Sequence, residues 1–406
     1  MCEPWKSWIP GVLSKEQVQE LCEEEYVTNV KNWNSKKKGE NPIDHSSIDL
    51  TLSKEGYEMV NGSIKPTKQD GYKRTILENA DYSKVHDAES DGIFLLEKKH
   101  TYVFALNEKL DGRKLKKSPI CGRATAKSSV GRVDVLCRLI VDKMDHYEYF
   151  DRDKLPEKQI EMFLEITPIT FNVRIREGEP LSQLRLFYYL PDISRMKGKE
   201  LYRCLLRRQE NVGDETLSVD LSGTKVFKKD KIVYRDNIAA FRGKVEQDIP
   251  IDLWKHEETN RPNPNDYWEC IEANKKKRLL VEKNHFYILR SKERLCLPEG
   301  IAVYCRAIDE AIGEMRIHYA GFAHPFFGKD RKDKKEGTPL IFEVRGHNIN
   351  VNLVDDERLA RLVFYRMSKD CKKPEPEDYE EDEKKDDYNE QELRLSKFFR
   401  DWGDGD

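Results

Sequence analysis

The stretch EITPITFNVRIREGEPLSQLRLF, residues 165–187, recurs later in the chain as EVRGHNINVNLVDDERLARLVFY, residues 343–365. The two stretches align without a gap, so that Glu165 matches Glu343 and Gln183 matches Arg361. Apolar positions coincide in register at five places, namely Phe171/Ile349, Val173/Val351, Ile175/Leu353, Leu181/Leu359 and Leu184/Leu362. Because so many positions agree, we interpret the two stretches as one structural module that occurs twice, rather than as two hairpins that look alike by chance.

The segments around this repeat are typical of β-strands. Most apolar runs are short and rich in Val, Ile, Phe and Tyr, among them TYVFAL, VDVLCRLIV, HFYILR and IAVYCRAI. The predicted strand that starts near His100 also corresponds, in the repeat, to the predicted strand that starts near His285. One amphipathic helix is expected near the start, where Ser14 and Gln17 have the spacing of a capping box. The sequence therefore predicts a mainly β protein.

Composition excludes several functional classes. The chain has 406 residues, with 72 basic and 75 acidic side chains and a formal charge of −3, which gives no global electrostatic case for binding nucleic acid or a membrane surface. It has no apolar run of membrane-spanning length and no secretory start, so a cytoplasmic location is expected. The nine cysteines form no CxxC pair, so neither a disulfide framework nor a thiolate zinc site is indicated.

The end of the chain has a different character. Residues 374–390, PEPEDYEEDEKKDDYNE, have almost nothing to bury and are expected to form a disordered acidic tail. The following QELRLSKFFRDW has two interpretations, an amphipathic helix that docks on a partner or on its own body, or an unstructured end. The predicted domains are residues 1–250, 251–370 and the tail 371–406.

Two features point to chemistry. Residues 125–136, TAKSSVGRVDVL, gather Lys127, Ser128, Ser129 and Arg132 at the start of a strand, and such donors can bind phosphate oxygens, although a polar surface loop is an equal alternative. Glu165 is a lone carboxylate on an apolar strand, where burial would raise its pKa toward neutrality. A solvated or ion-paired glutamate is the other interpretation. Together the two features indicate an enzyme acting on a phosphorylated small molecule.

Four motifs in order resemble those of the dCTP deaminases. AKSSVGR resembles their serine-serine-arginine motif, MFLEI their strand with the catalytic glutamate, GEPLSQLRLF the glutamine-containing strand, and HSSIDLTL, residues 45–52, an early conserved segment. The second copy resembles the carboxy-terminal half of the two-domain bacterial dCTP deaminases, and the resemblance spans about residues 10 to 368. It implies two tandem dUTPase-like β modules (the distorted-barrel or β-clip fold), an amino-terminal helix, and a homotrimer.

The resemblance also implies roles for individual residues. Glu165 matches the proton-shuttling glutamate, Ser128 the serine beside the reacting end of the base, and Arg132 the arginine that supports it. The positions expected to bind substrate are Lys127 and Ser129 for the triphosphate, Asp142 for the sugar, Gln183 on the glutamine strand, and Tyr234 and Arg235 in a nucleotide lid. Mg²⁺ is expected to arrive with the triphosphate. No zinc is expected, since the H-x-E and P-C-x-x-C signature of zinc deaminases is missing.

The second copy keeps Glu343 but has CRAIDEAIGEMR where the serine pair should be, and its acidic residues would repel a triphosphate. This half is therefore expected to be structural or regulatory, with Glu343 in an ion pair, for example with Arg345 or a neighbouring chain. The implied reaction is hydrolysis of dCTP to dUTP and ammonia. The alternatives are a dUTP diphosphatase, a bifunctional enzyme, or a catalytically silent nucleotide-binding scaffold. The exact cytosine nucleotide stays open.

Overall fold

The computed structural model describes residues 7–35, 37, 39–66, 71–81, 92–207, 214–227, 233–254, 256–308, 315–318, 321–328, 337–372 and 392–402. The acidic run 374–390, expected to be disordered, lies outside these residues, as do the acidic positions 309–310 of the second copy. No helix in the described ranges is long and apolar enough to cross a membrane.

The first module is a large antiparallel assembly with short helices at its edges. Its elements are β1 (Gly11–Val12), α1 (Lys15–Glu23), β2 (Val27–Thr28), β3 (Ile43–Asp44), β4 (Ser47–Met59), α2 (Tyr72–Asn79), β5 (Ala80–Asp81), β6 (Ile93–Leu96), β7 (Tyr102–Asp111), α3 (Gly112–Lys116), β8 (Ile120–Ala126), α4 (Ser128–Gly131), β9 (Val135–Val141), β10 (Tyr149–Phe150), β11 (Gln159–Pro168), β12 (Val173–Arg176) and β13 (Pro180–Tyr188). The main sheet runs in the order β10-β8-β13-β4-β7-β11-β9, which places β11 between β7 and β9.

The second module repeats this plan on a smaller scale. Its elements, with the connecting segments, are β14 (Arg195–Met196), α5 (Lys199–Leu205), β15 (Leu206–Arg207), β16 (Thr216–Ser218), β17 (Thr224–Phe227), β18 (Val233–Gly243), β19 (Ile251–Asp252), α6 (Pro264–Tyr267), β20 (Trp268–Glu272), β21 (Arg278–Val281), β22 (Phe286–Leu295), β23 (Ile301–Ala307), β24 (Met315–His318), β25 (Phe322–Ala323), β26 (Thr338–Gly346), β27 (Val351–Val354) and β28 (Arg358–Arg366). Short 3₁₀ turns occupy Arg152–Lys154, Pro191–Ser194 and Glu258–Asn260.

Strand register confirms the predicted repeat. The bounds of β12 and β13 become those of β27 and β28 when 178 is added to each residue number, as in 173 to 351 and 188 to 366. Glu165 pairs across the sheet with Val103, and its counterpart Glu343 pairs with Ile288. The predicted mainly β fold of two similar modules is therefore confirmed, and the short strands follow from the β-branched and aromatic residues that fill them.

The amino-terminal helix also forms as predicted. Ser14 caps α1, and its backbone N–H donates to the Gln17 side chain at 3.0 Å, which completes the capping box. The helix leads out of β1, where Gly11 is required by a close approach. A Cβ at this position would lie 2.5 Å from the backbone nitrogen of Ser368 and 2.6 Å from the carbonyl carbon of Met367. The first module is thereby held against the end of the second.

The two modules pack through corresponding strands. Buried residues of β8 and β13 meet those of β23 and β28 in one cluster that includes Phe187 and Tyr365, whose rings are 5.6 Å apart in an edge contact. The Tyr304 hydroxyl donates to the Ala124 carbonyl at 3.2 Å across the same junction. Strands β14 and β16 pair with β28, and β15 and β18 with β22. Strand pairing thus assigns residues 195–243 to the second module, whereas the expected division lay at residue 250.

The expected disorder of the tail does not extend to its last described residues. Residues 392–402, here called the C-terminal segment, contain five buried apolar side chains, which are Leu393, Leu395, Phe398, Phe399 and Trp402. They join the core cluster of the first module, together with Phe286 and Ile288 from the second. Of the two interpretations of QELRLSKFFRDW, docking on its own body is the one observed, although the segment is not helical. Apolar burial explains this order, since each side chain leaves water.

Candidate active site

The Glu165 side chain lies in an enclosed environment on β11. It is 3 % exposed, and the Tyr147 hydroxyl donates to its Oε2 at 3.1 Å. Burial raises the pKa of Glu165, while the hydrogen bond from Tyr147 and the charge of Arg138 oppose this increase. The predicted burial and direction of the pKa shift are both present. Hydrogen bonds from the Ser63 side chain and the Ile64 backbone also act to lower the pKa of this carboxyl.

The chain itself covers the Glu165 environment. Tyr72, the first residue of α2, packs its ring 5.6 Å from that of Phe163, and its hydroxyl donates to the Ile64 carbonyl at 3.1 Å. Asp142, predicted to bind the sugar, accepts a hydrogen bond of 2.8 Å from the backbone N–H of Tyr72. Asp142 therefore anchors the start of α2 and has a structural partner.

Two predicted substrate-binding residues meet at a third side chain. Lys127 donates to one carboxylate oxygen of Asp49 at 2.5 Å, and Gln183 donates to the other at 3.1 Å. Gln183 in turn accepts from Arg185 at 3.0 Å. Asp49 comes from HSSIDLTL, one of the four motifs, but its role as the common partner was missed. Burial lowers the pKa of Arg185 to about 10, and its guanidinium lies 3.8 Å from the centre of the Phe322 ring of the second module.

The rest of the serine-serine-arginine loop meets the C-terminal segment. Ser128 is exposed at the start of α4, whereas Ser129 and Arg132 are buried. The Ser396 hydroxyl donates to the Ser129 carbonyl at 2.7 Å, and an Arg132 Nη donates to the Leu395 carbonyl at 3.5 Å. The segment therefore forms one wall beside Arg132.

The lid candidates also lie beside the C-terminal segment. Tyr234 stacks on Trp402 with ring centres 5.4 Å apart and an angle of 19° between the planes. Its hydroxyl donates to Asn265 at 2.9 Å. Arg235 is exposed, and its guanidinium lies 5.4 Å from the Tyr234 ring.

Glu343 of the second module lies near Arg132. The Glu343 side chain is 5 % exposed, and burial raises its pKa to about 8 while the positive charge of Arg132 opposes the increase. Arg345 does not supply the expected ion pair, because it binds Asp134 and Thr170 of the first module. The structure thus brings the predicted arginine to the glutamate of the second copy. Glu165, by contrast, accepts a hydrogen bond from Tyr147 of its own module.

Family comparisons agree with this arrangement of two modules. The N-terminal domain model of 2'-deoxycytidine 5'-triphosphate deaminase matches residues 9–189, and the C-terminal domain model of the same enzyme matches residues 198–399. The chain belongs to the two-domain dCTP deaminase family. Deamination of dCTP, which the resemblance implied, is therefore the activity of its family. The two family domains meet between residues 189 and 198, near the start of the strands that pair with the second module.

A solved structure shows the same fold as this dCTP deaminase chain. The crystal structure of 2'-deoxycytidine 5'-triphosphate deaminase from Agrobacterium tumefaciens matches it with a TM-score of 0.71 and 23 % sequence identity, covering 89 % of this chain and 99 % of that one. No curated protein sequence matches the chain. The C-terminal family domain reaches residue 399, so it includes most of the C-terminal segment that contacts the serine-serine-arginine loop.

Proposed function

We propose that the chain deaminates dCTP hydrolytically at the junction of its two modules, beside the loop of residues 127–132. The observation that carries this proposal is the position of Arg132. This buried cation donates to the Leu395 carbonyl, lies two residues before Asp134, which pairs with Arg345 of the second module, and acts electrostatically on the buried carboxyl group of Glu343. A carboxyl whose pKa lies near neutrality can take a proton from water and return it to a substrate atom, as general acid–base catalysis requires.

The loop would bind the nucleotide. Lys127 and Ser129 are proposed to hold the triphosphate, which carries Mg²⁺ as part of the substrate complex, and Ser128 is proposed to face the reacting end of the base. The exposure of Ser128 and the contact of Lys127 with Asp49 support this, because they place a hydroxyl and a cation at the same edge of the first module. Gln183 shares the Asp49 carboxylate and belongs to the same group.

The family resemblance supplies roles for the remaining residues. The sequence match gave Glu165 the role of proton shuttle, and its burial is a property that it shares with its counterpart Glu343. Tyr234 and Arg235 are proposed to border the nucleotide, since both lie beside the C-terminal segment. Asp142 is proposed to bind the sugar after its hydrogen bond with the backbone N–H of Tyr72, at the start of α2, is broken. We also propose a homotrimer and a cytoplasmic location, for which family resemblance and composition are the support.

Product analysis tests the function. Purified protein is incubated with dCTP, dCMP or modified cytosine nucleotides and Mg²⁺, and nucleotides and ammonia are quantified. Equal amounts of dUTP and ammonia from dCTP are expected. Formation of dUMP and pyrophosphate would instead support a diphosphatase or a bifunctional enzyme, and binding of dCTP without turnover would support a silent scaffold. Arg132→Lys should lower the rate, and Arg203→Lys, an exposed arginine on α5, serves as its control.

A further inference from the structure

The alternation of side chains along β26 divides this strand between two environments. Phe342 and Val344 belong to the core of the second module, whereas Ile341 packs against the cluster that includes the first module and the C-terminal segment. Glu343 has the same parity as Ile341 and Arg345, so the three side chains leave the same face of the strand. Glu343 therefore faces away from the core of its own module.

Contacts of Arg345 show what lies opposite this face. Arg345 forms an ion pair with Asp134, and donates to the Thr170 hydroxyl at 2.5 Å, so this face meets the first module immediately after the serine-serine-arginine loop. Arg132 precedes Asp134 by two residues, is buried, and exerts the electrostatic effect on Glu343 described above. The arginine and the glutamate thus come together from two modules of one chain.

On this geometry, and on the basis of the proposed function, we propose that Glu343 is the general acid/base of the reaction and that one chain builds its reacting centre from the Arg132 loop of the first module and β26 of the second. The C-terminal segment closes this centre on another side, through Leu395 at Arg132 and Ser396 at Ser129. The role that the sequence match gave to Glu165 passes to its counterpart in the repeat.

The surroundings of Glu165 agree with this assignment. Its carboxyl is covered by Tyr147 and by residues 63–64 of its own module. Thr125 on β8 pairs with Gln183, and Arg306 on β23 pairs with Arg361, the counterpart of Gln183. β8 and β23 therefore correspond with a shift of 181 residues between the copies. Asp309 and Glu310 are the sequence counterparts of Ser128 and Ser129. If the loop of one module serves the glutamate of the other, the loop that would serve Glu165 offers acidic side chains to a triphosphate, which repel it.

The proposed chemistry balances with water as the co-reactant. The Glu343 carboxylate takes one proton from water as the water oxygen bonds to C4 of cytosine, and delivers that proton to N3. The remaining proton of the added hydroxyl then passes through Glu343 to the amino nitrogen, the C4–N bond breaks, and ammonia leaves with the bonding electron pair. The products are dUTP and ammonia. Arg132 is placed to stabilise the ionised form of the glutamate.

The test compares Glu343→Gln with Glu165→Gln in the full-length chain. Both variants replace a buried glutamate at matching positions of the repeat, so each is the control of the other. Ammonia release from dCTP with Mg²⁺ gives kcat and KM, calorimetry gives the Kd of dCTP, and circular dichroism with thermal unfolding verifies folding. We expect Glu343→Gln to lower kcat about 100-fold or more, with the Kd changed less than about threefold, and Glu165→Gln to keep kcat within about threefold.

The other outcomes overturn the assignment. A folded Glu343→Gln enzyme with normal kcat, or loss of activity in folded Glu165→Gln alone or in both variants, would contradict it. The conservative variant Glu343→Asp, which should retain measurable turnover, covers the case in which Glu343→Gln does not fold, and its inactivity as a folded protein would also contradict the assignment. Wild-type protein that binds dCTP without releasing ammonia refutes the proposed function itself, and the role of Glu343 with it.

Discussion

Burial of Glu343 predicts an unusual pH dependence of stability that Glu343→Gln should remove. The folded-state pKa of about 8 lies above the ordinary value of 4.5, so between these values the folded state binds a proton that the unfolded chain has lost. Stability conferred by this group is then fully present below pH 4.5 and declines as pH rises through 8. Each pH unit below the folded-state pKa corresponds to about 1.4 kcal/mol, and pH 6 lies two units below it. Raising the pH from 6 to 9 should therefore cost the wild type about 3 kcal/mol through this one group.

Urea unfolding at pH 6 and pH 9, followed by tryptophan fluorescence, measures this effect. The amide of Glu343→Gln cannot ionise, so the variant should lose about 3 kcal/mol less unfolding free energy than the wild type over this interval. Glu161→Gln is the matched control, because the Glu161 side chain on β11 is 44 % exposed and should change the pH dependence little. Parallel pH profiles for the wild type and Glu343→Gln would refute the burial of this carboxyl.

Three further predictions concern the same junction. Glu343 must be ionised to accept a proton, and Arg132 and Cys305 are the charged and titratable groups that interact electrostatically with it. We therefore expect kcat/KM to rise with pH up to about 8 and then to level off. Initial rates from pH 6 to 9 measure this, and a flat profile contradicts it. Arg345→Met should cost about 3 to 5 kcal/mol of unfolding free energy, because it leaves the buried Asp134 carboxylate without its ion-pair partner. Adding Asp134→Asn should recover part of this loss, as measured by thermal unfolding. Equal stability of the wild type and the single variant would contradict the ion pair. Lys127→Met should raise the KM for dCTP about tenfold with a smaller effect on kcat, since a charge-assisted contact of about 1.4 kcal/mol is lost, and unchanged steady-state kinetics would exclude a role in triphosphate binding.

The internal sequence repeat predicted most of the fold. Apolar positions shared between residues 165–187 and 343–365 predicted two similar β modules, and the strand bounds follow the same spacing. The division between modules was harder to predict, because the strands of residues 195–243 lie outside the recognised repeat and are assigned only by their pairing with β22 and β28. The docking of the C-terminal segment depends on apolar contacts with residues far away in sequence, and a pattern of apolar residues does not name the surface that receives them.

The candidate site was predicted in its residue types more than in its connections. Local sequence offered the loop residues Lys127 and Arg132 and a buried Glu165 as candidates, beside the alternatives of a polar surface loop and a solvated or ion-paired glutamate. Their partners were not, because Asp49 is 78 residues from Lys127 and the glutamate near Arg132 lies in the other module. Alignment of the two copies placed Glu165 and Glu343 at equivalent positions but could not say which of them meets the loop. That choice depends on how the modules pack.

Mixing two inactive chains tests most directly whether the reacting centre lies within one chain. Arg132→Ala and Glu343→Gln are carried on separately tagged chains, co-expressed, and purified through both tags, and ammonia release from dCTP is measured. A centre built within one chain predicts no recovery of activity, since every chain in the mixture has lost one of the two groups. If neighbouring chains supplied the arginine and the glutamate, each proposed homotrimer retained by both tags would have one intact interface out of three. Recovery to about a third of the wild-type rate would therefore contradict the account.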